Sequence, residues 1–344
     1  MWPLQPGYDY PRNQWYVAGW SHELNNQTPV ERWILGEPVA LYRDEAGTPI
    51  ALEGRCPHRN YPLARSIIRG NALECGYHGF TFGPDGACVR IPSQVTIPAV
   101  CRVKAFPLVE KWQWLWIWMG DPALADPAMI PDHDEMKITS PGWLAVAALD
   151  RVLECRPQLL HENLTDISHL SFLHAATIGT EAVAATKVEV TQTDRYLRGS
   201  RFIPGETLTG FFAEVLGYDG PVERLVLIDF YAPSVHVALE SFRKPGGEVI
   251  GEFRVHHAVT PAGPDRTNYF LAWSRNFATD NSQVTDIMNT VFEGVIQQDV
   301  DATHAIEQMI RRTPNPTELL VRADEHSIKG RRWIEELIAA ERTA

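Results

Sequence analysis

The sequence has few cysteines, no surplus of positive charge and no long apolar run, and each shortage excludes a class of protein. Lysine and arginine together number 31 against 43 aspartates and glutamates, and the net charge of -12 argues against nucleic acid or an anionic membrane surface as a partner. Because the chain has neither an apolar run of transmembrane length nor a signal-peptide pattern at its start, we expect a cytoplasmic protein. It also has no Gly-rich dinucleotide fingerprint, so any use of NAD(P)H must fall to another protein.

The five cysteines divide into two with a clear pattern and three without one. A C-x-H box at residues 56–58 and a C-x-x-H box at residues 75–78 are separated by sixteen residues. The remaining Cys88, Cys101 and Cys155 have no framework spacing. We expect these three to be buried free thiols in a reducing cytoplasm.

The two boxes supply two thiolates and two imidazoles, a donor set that suits either a tetrahedral zinc ion or a Rieske [2Fe–2S] cluster. A zinc finger pairs like ligands, two cysteines first and two histidines later. Here each box holds one cysteine followed by one histidine. Mixed pairs favour a cluster with one iron on two cysteines and the other on two histidines, and structural zinc is the alternative.

The residues around the boxes have the pattern of short strands separated by turns. Strands are predicted at 38–43, 49–53, 72–75, 80–82, 87–91 and 112–118. These strands predict a small all-β domain over residues 1–122. A proline-containing linker is predicted over residues 123–142.

A second domain is predicted over residues 143–344. Strands are predicted at 143–150, 224–231, 234–242, 249–260 and 268–276, with Pro- and Gly-containing turns between the later ones. Helices are predicted at 158–175, 282–311 and 324–341. The fold class is therefore α+β, an all-β domain followed by an antiparallel sheet covered by helices in a helix-grip-like arrangement.

The predicted helix at 158–175 contains Asp166, His169 and His174. Asp166 and His169 share a helical face, because three residues correspond to about 60° around an ideal helix. His174 lies about 140° further round, so both histidines face one metal only if the helix widens or ends there. Two histidines with a carboxylate are the ligands of many non-haem Fe(II) oxygenases. A surface or core histidine is the alternative for each.

The boxes Cys-Pro-His-Arg and Cys-Gly-Tyr-His-Gly-Phe resemble the cluster-binding loops of Rieske oxygenases. The segment 163–174 looks like the iron-binding helix of their α-subunits. The resemblance is strongest to the vanillate O-demethylase and dicamba monooxygenase group. It covers nearly the whole chain, from Arg12-Asn13-x-Trp15-Tyr16-Val17-Ala18 to the C-terminal helix. Cytochrome-type Rieske proteins usually carry a second cysteine in each loop, and these loops do not.

This resemblance implies two cofactors. The [2Fe–2S] cluster would be held by Cys56, His58, Cys75 and His78. A mononuclear non-haem Fe(II) would be held by His169, His174 and an aspartate of the long C-terminal helix. Asp299 matches the place of that aspartate, and Asp301 is the weaker candidate.

Two further residues have roles implied by the same resemblance. Asp166 would bridge His169 to His78 of the partner subunit by hydrogen bonds, in a head-to-tail homotrimer. A carboxylate is suited to this because a metal-bound histidine has one remaining N–H. Asn163 matches a residue near the iron, and its alternative is an ordinary polar group of a helix.

Substrate residues are expected on the sheet of the second domain. His257 resembles a substrate-contacting histidine of the demethylase group. Glu240 lies near a pocket position where that group is expected to have an amide, and a carboxylate there would repel an acidic substrate. Either residue is alternatively a strand residue that faces solvent.

The implied function is that of the terminal oxygenase component of a multicomponent system. It would use O₂ and electrons from an NAD(P)H-dependent reductase or a ferredoxin to oxidise a small aromatic substrate, by O-demethylation or monohydroxylation of an aromatic acid. A ring-hydroxylating dioxygenase of an aromatic carboxylate is an alternative. A Rieske electron carrier without catalysis is another, and the second domain argues against it.

Overall fold

The computed structural model describes residues 9–208 and 210–343 and forms two compact units. The N-terminal unit comprises residues 11–130 with 260–264, and the C-terminal unit comprises residues 131–259 and 265–344 together with the first ten residues. The domain bounds predicted from the sequence stay predictions, and their first eight residues lie outside the described part of the chain. Among the described helices, none is long and apolar enough to cross a membrane.

The N-terminal unit is built from short antiparallel strands. They are β1 (Trp15–Trp20), β2 (Val30–Ile34), β3 (Glu37–Arg43), β4 (Pro49–Glu53), β5 (Ile67–Arg69), β6 (Ala72–Glu74), β7 (Thr81–Phe82), β8 (Cys88–Arg90), β9 (Leu108–Lys111) and β10 (Trp114–Trp118). They form three sheets with strand orders β1-β10-β9, β2-β3-β4 and β5-β6-β7-β8. The cluster boxes follow β4 and β6 directly, so the strand ends fix where both boxes begin.

One predicted strand of this unit is shorter in the structure. The prediction placed a strand over 112–118, but Trp112 has a φ of +58° and lies in the turn between β9 and β10. The three tryptophans of β10, Trp114, Trp116 and Trp118, are nevertheless fully buried. Because Trp112 is a turn residue with a left-handed backbone, β10 begins two residues later than the apolar pattern indicated.

The C-terminal unit contains one seven-stranded antiparallel sheet. Its strands are β11 (Leu144–Leu153), β12 (Glu189–Gln192), β13 (Leu197–Thr207), β14 (Pro221–Tyr231), β15 (Val235–Arg243), β16 (Val249–Gly263) and β17 (Arg266–Arg275). Their order across the sheet is β11-β17-β16-β15-β14-β13-β12. The helices are α1 (Pro157–Thr165), α2 (Leu170–Leu173), α3 (Glu181–Ala185), α4 (Gly210–Leu216), α5 (Ser282–Arg312) and α6 (Glu325–Thr343).

The prediction of one helix over residues 158–175 is wrong, because the segment is interrupted. Asp166 leaves the helical region with φ -95° and ψ 88°, and its carboxylate caps a 3-10 turn over Ile167–His169. After α2, His174 leaves the helix with φ -109° and ψ 22°. Because the helix is interrupted and ends here, two histidines five residues apart can face a common point.

A buried ion pair fixes the start of α1 to α5. Arg156 immediately precedes α1, and its Nε donates to Oε2 of Glu307 at 2.7 Å while its Nη2 donates to Oε1 at 2.9 Å. The main-chain N–H of Arg156 donates to the same carboxylate. Glu307 lies on α5 and is buried. The two helices that carry Asn163 and Asp299 are therefore held in register with each other.

Candidate metal centres

The two cysteine–histidine boxes fold as two loops with the same backbone pattern. In the first, the N–H of Cys56 donates to the carbonyl of Tyr61 at 2.9 Å, and the N–H of Asn60 donates to Cys56 at 2.9 Å. In the second, Cys75 donates to Phe80 at 2.8 Å and Gly79 donates to Cys75 at 2.9 Å. The fourth residue after each cysteine has a left-handed backbone, with φ +57° at Asn60 and +72° at Gly79. Glycine and asparagine are the residues that adopt this conformation most readily.

The loops bring the four candidate ligands together. Cys56 and Cys75 are buried, and the thiol of Cys75 is close enough to hydrogen-bond that of Cys56. The rings of His58 and His78 lie at the exposed tips with centroids 4.6 Å apart. The structure therefore has two sulfurs inside and two imidazoles outside, on adjacent loops.

The chemistry of this donor set fits a Rieske cluster. Burial raises the pKa of the Cys56 thiol to about 11, so a thiolate there needs compensating positive charge from bound metal. The two cysteines lie next to each other in space, and so do the two histidines, although each box in the sequence contains one cysteine and one histidine. That arrangement would give one iron two cysteines and the other two histidines.

A second cluster of donors lies in the C-terminal unit. One ligand atom from each of His169, His174 and Asp299 falls within 4.8 Å of the others. Oδ1 of Asp299 is 3.1 Å from Nε2 of His174 and 3.5 Å from Nε2 of His169. The 3-10 turn carries His169, the end of α2 carries His174, and α5 carries Asp299.

The other ring nitrogen of each histidine faces an oxygen. Nδ1 of His174 is 2.8 Å from Oε1 of Gln298, and Nδ1 of His169 contacts the main-chain carbonyl of Asp166. Such contacts hold Nδ1 protonated and leave Nε2 free to bind a metal. Two imidazoles and one carboxylate that converge in this way fit the facial triad of a non-haem Fe(II) site.

The pKa values of the two histidines shift in opposite directions. Burial lowers the pKa of His169, although the carboxylate of Asp299 opposes the effect. Burial acts on His174 in the same direction, but the hydrogen bond and charge of Asp299 outweigh it and raise the pKa of His174. The carboxylate of Asp299 therefore acts on both rings.

Asp301 and Asn163 occupy different positions relative to this cluster. Asp301 is exposed and accepts a hydrogen bond from Nε2 of Gln297 at 2.9 Å. Nδ2 of Asn163 donates to Oδ1 of Asp299 at 3.0 Å. The structure thus brings Asn163 and Asp299 to the two histidines and leaves Asp301 outside.

Asp166 contacts His169 differently from what the family resemblance implied. Its main-chain carbonyl makes the contact, whereas Oδ1 of its carboxylate accepts from the N–H of Ser168 at 2.9 Å. The implied bond from the carboxylate to His169 is therefore not found in this chain. The negative charge of Asp166 still acts on His169, whose pKa it raises against the larger effect of burial. The bridge to a partner subunit stays a prediction.

A cavity opens from the three donors into the sheet of the C-terminal unit. Its empty space, with the open mouth included, is about 670 Å³. The lining consists mainly of aliphatic and aromatic side chains, namely Leu164, Ile167, Leu170, Ile178, Val226, Ile228, Ala238, Leu239, Phe253, Val255, Leu271, Phe292, Val295 and Ile296. His257 and Glu240 line the same cavity, and both are buried. The alternative that they face solvent is wrong.

Two residues of this region were missed by sequence reasoning as parts of the site. Gln298 positions His174, and its only sequence signal is that it precedes Asp299. Arg224 on β14 forms a bidentate ion pair with Glu240 on β15, with Nε to Oε2 at 2.7 Å and Nη2 to Oε1 at 2.9 Å. No sequence signal marks Arg224, because strand registers decide which charges meet.

Two protein families match the chain. Residues 14–107 match the family described as the Rieske [2Fe-2S] domain. Residues 153–340 match the family described as the vanillate O-demethylase oxygenase C-terminal domain. Together the matched ranges contain all the candidate ligands named above.

Characterised relatives align along most of the chain. The iron-sulfur subunit of the toluene-4-sulfonate monooxygenase system of Comamonas testosteroni is 32% identical and covers 96% of this chain and 97% of its own. The oxygenase component of dicamba O-demethylase of Stenotrophomonas maltophilia is 33% identical and covers 87% of this chain and 88% of its own. The crystal structure of dicamba monooxygenase bound to 3,6-dichlorosalicylic acid superposes with a TM-score of 0.88 at 32% identity, covering 98% of this chain and 100% of that one.

Proposed function

Since this chain belongs to the Rieske oxygenase components of the vanillate O-demethylase type, we propose that it is a terminal oxygenase that oxidises a small aromatic substrate by O-demethylation or monohydroxylation. The chain is an oxidoreductase with a Rieske [2Fe-2S] domain, and its relatives include monooxygenases and O-demethylases. O₂ is the oxidant in this proposal, and a separate reductase or ferredoxin is the electron donor.

The observation that carries the proposal is the convergence of His169, His174 and Asp299 at one end of an apolar cavity. A structural metal site is closed by protein ligands on all sides. Here three donors meet on one side, and the other side opens into a cavity with mainly apolar walls. This arrangement supports catalysis on a bound substrate.

In the proposed site each residue has a distinct task. His169, His174 and Asp299 hold the mononuclear iron, which supplies the O₂-activating chemistry when bound. Gln298 and the carbonyl of Asp166 fix the two imidazole rings, and Asn163 fixes Asp299. The apolar walls exclude bulk water from the substrate.

Cys56, His58, Cys75 and His78 hold the cluster in this proposal. A direct test is His78→Cys, which replaces one exposed imidazole by a thiolate. Because histidine ligation raises the potential of a [2Fe–2S] cluster relative to cysteine ligation, we expect the variant to lose the cluster or to hold one with an altered visible spectrum and a lower reduction potential. Visible spectroscopy and a redox titration of the purified protein measure both.

The matched control for this test is His22→Cys. His22 is an exposed histidine of the same unit, far from both boxes in the sequence. We expect this control to keep the wild-type spectrum and potential. The assignment of His78 is wrong if the His78→Cys protein also keeps both.

The partner and location proposals follow from family membership. An NAD(P)H-dependent reductase or a ferredoxin would donate electrons, and Asp166 would link His169 to His78 of the partner subunit in a homotrimer. The half-buried position of Asp166, with a second carboxylate oxygen that makes no hydrogen bond among the described residues, supports such a link. The predicted cytoplasmic location stays a prediction.

The experiment that tests the function is a turnover assay with a panel of methoxylated and unmethoxylated aromatic compounds. The purified protein, its electron donor and NAD(P)H are incubated with each compound while O₂ uptake is recorded and formaldehyde is trapped. We expect substrate-dependent O₂ uptake, with formaldehyde from methoxylated compounds if the reaction is O-demethylation and a hydroxylated product without formaldehyde otherwise. A diol product would favour the dioxygenase. Reduction of the cluster without O₂ uptake on any compound would instead indicate an electron carrier.

A further inference from the structure

The lining of the cavity beside the three donors disfavours a negatively charged ligand. Its walls are mostly aliphatic and aromatic, and the described residues that line it include no lysine and no arginine. Apart from the three metal-ligand candidates, its polar members are Asn163, His257 and Glu240. The substrate class depends on what these three can offer.

Glu240 brings a carboxylate to the cavity, and the cation that pairs with it, Arg224, has no donor nitrogen left for a ligand. Arg224 donates from Nε and Nη2 to Glu240, from Nη1 to Oε2 of Glu206 at 3.3 Å, and from Nη2 also to the carbonyl of Ile178 at 3.0 Å. Its guanidinium lies against the ring of Phe212 at 4.7 Å. Each nitrogen of Arg224 therefore already has an acceptor. A carboxylate or sulfonate on the substrate would meet the anion of this pair, while the cation lies outside the lining.

His257 offers a hydrogen bond but no charge. Its Nδ1 contacts the hydroxyl of Tyr269, and the two rings stack with centroids 5.9 Å apart. Complete burial lowers the pKa of His257 to about 3, so the ring is neutral at physiological pH. A neutral imidazole cannot compensate a buried anion.

Asn163 also disfavours an anion. Its Nδ2 is engaged with Asp299, and its Oδ1 is a buried acceptor with no partner among the described residues. A carbonyl oxygen in this state accepts from a donor and repels a carboxylate oxygen.

From this lining we infer that the substrate is an uncharged, mostly apolar aromatic compound with at most a neutral hydrogen-bonding group, rather than the aromatic acid expected from the sequence. The inference rests on the proposed function, since it assumes that the cavity beside the triad is the substrate site. Burying an anion in a cavity whose lining supplies no cationic side chain is strongly unfavourable. We expect a charged compound to bind roughly 100-fold more weakly than a neutral compound of the same shape.

The experiment compares pairs of compounds that differ in charge and hardly in size. The pairs are 4-methoxybenzamide with 4-methoxybenzoate, and toluene-4-sulfonamide with toluene-4-sulfonate. Binding to the anaerobic, metal-replete full-length protein is measured by titration calorimetry at pH 7. We expect the neutral member of each pair to bind more tightly. Tighter or equal binding of the anion, or no binding of either neutral member, would overturn the inference.

A substitution then locates the discrimination. Glu240→Gln keeps a hydrogen-bond acceptor for Arg224, while Glu206 remains as a charged partner. We expect this variant to bind 4-methoxybenzoate about tenfold more tightly than wild type, with a smaller change in its affinity for the amide. Glu248→Gln, at an exposed carboxylate of the same unit that pairs with Lys244, is the matched control and should change neither. An equal affinity change for both members of the pair would assign Glu240 to stability instead of selectivity. The wild-type comparison still decides the inference if Glu240→Gln fails to fold.

Binding and turnover measurements together distinguish failure of this inference from failure of the proposed function. Tight binding of neutral compounds without any O₂-dependent product would retain the inference and reject the oxygenase. Turnover of the anions in preference to the neutral compounds would retain the oxygenase and reject the inference.

Discussion

Asp299→Ala should yield a protein that keeps its [2Fe–2S] cluster and loses both the mononuclear iron and turnover. Oδ1 of Asp299 lies 3.1 Å and 3.5 Å from the Nε2 atoms of His174 and His169, so the substitution removes the donor that the two rings share. Iron content should fall by about one third, since one of three irons is lost. Turnover should fall more than about 100-fold, beyond the usual effect of losing an outer contact. Metal analysis, visible spectroscopy and O₂ uptake measure these three quantities.

Asp301→Ala is the control because it removes a carboxylate two residues away on the same helix. Asp301 is exposed, and its carboxylate accepts a hydrogen bond from Gln297. We expect wild-type iron content and activity from this variant. Loss of iron in Asp301→Ala together with its retention in Asp299→Ala would show that the choice of carboxylate is wrong.

Asp166→Asn should keep both metals and the oligomeric state and should slow turnover by roughly 10- to 100-fold, the range found for residues that support metal ligands. Asparagine caps a helical turn about as well as aspartate, so the hydrogen bond from the N–H of Ser168 survives. What the substitution removes is the negative charge beside His169. In the proposed trimer this charge lies between His169 and His78 of the partner subunit. Single-turnover reoxidation of the reduced cluster under O₂ and substrate measures the effect.

The comparison variant is Asp166→Ala, which removes the cap as well as the charge. If Asp166 only stabilises the turn, Asp166→Asn should behave as wild type and Asp166→Ala should lose activity in proportion to folded protein. If Asp166 links the centres, both should reoxidise slowly while Asp166→Asn stays fully folded. Wild-type reoxidation rates in a metal-replete Asp166→Asn protein would rule out the link.

The sequence revealed the groups whose geometry is set locally. Each cluster loop spans six residues, so a cysteine and a histidine with the right spacing are sufficient to indicate it. His169 and His174 are likewise close in the sequence, and their spacing indicated that the helix must either widen or end between them. Asp299 carried a further signal on its helix. It lies four residues after Val295 and three after Ile296, both buried, so it shares their face, whereas Asp301 faces away.

The features that the sequence did not reveal depend on contacts between residues that are far apart in the sequence. Strands β12 and β13 were missed because their charged residues obscure a strand pattern, yet Arg198 of β13 is paired with buried Asp229 of β14 at 2.6 Å. The burial of Glu240 depends in the same way on Arg224, which reaches it only because β14 and β15 are neighbours. Cys88 and Cys101 are only partly buried, against expectation, while Cys155 is buried as predicted. Cys88 lies on an edge strand and Cys101 on a loop, and the exposure of single residues there depends on packing that no local pattern encodes.

The contact between His174 and Asp299 joins positions 125 residues apart. This separation determines the order in which the two donor sets form during synthesis of the chain. A nascent chain emerges N-terminus first, so both cluster loops have left the ribosome long before the donor set in the C-terminal unit is complete. Until α5 docks, the histidines alone form a two-ligand site of low affinity. A metal ion that binds only the complete triad therefore stabilises the docked helix by mass action. Docking of α5 thus completes the donor set, and a bound metal ion would stabilise the docked position of this helix.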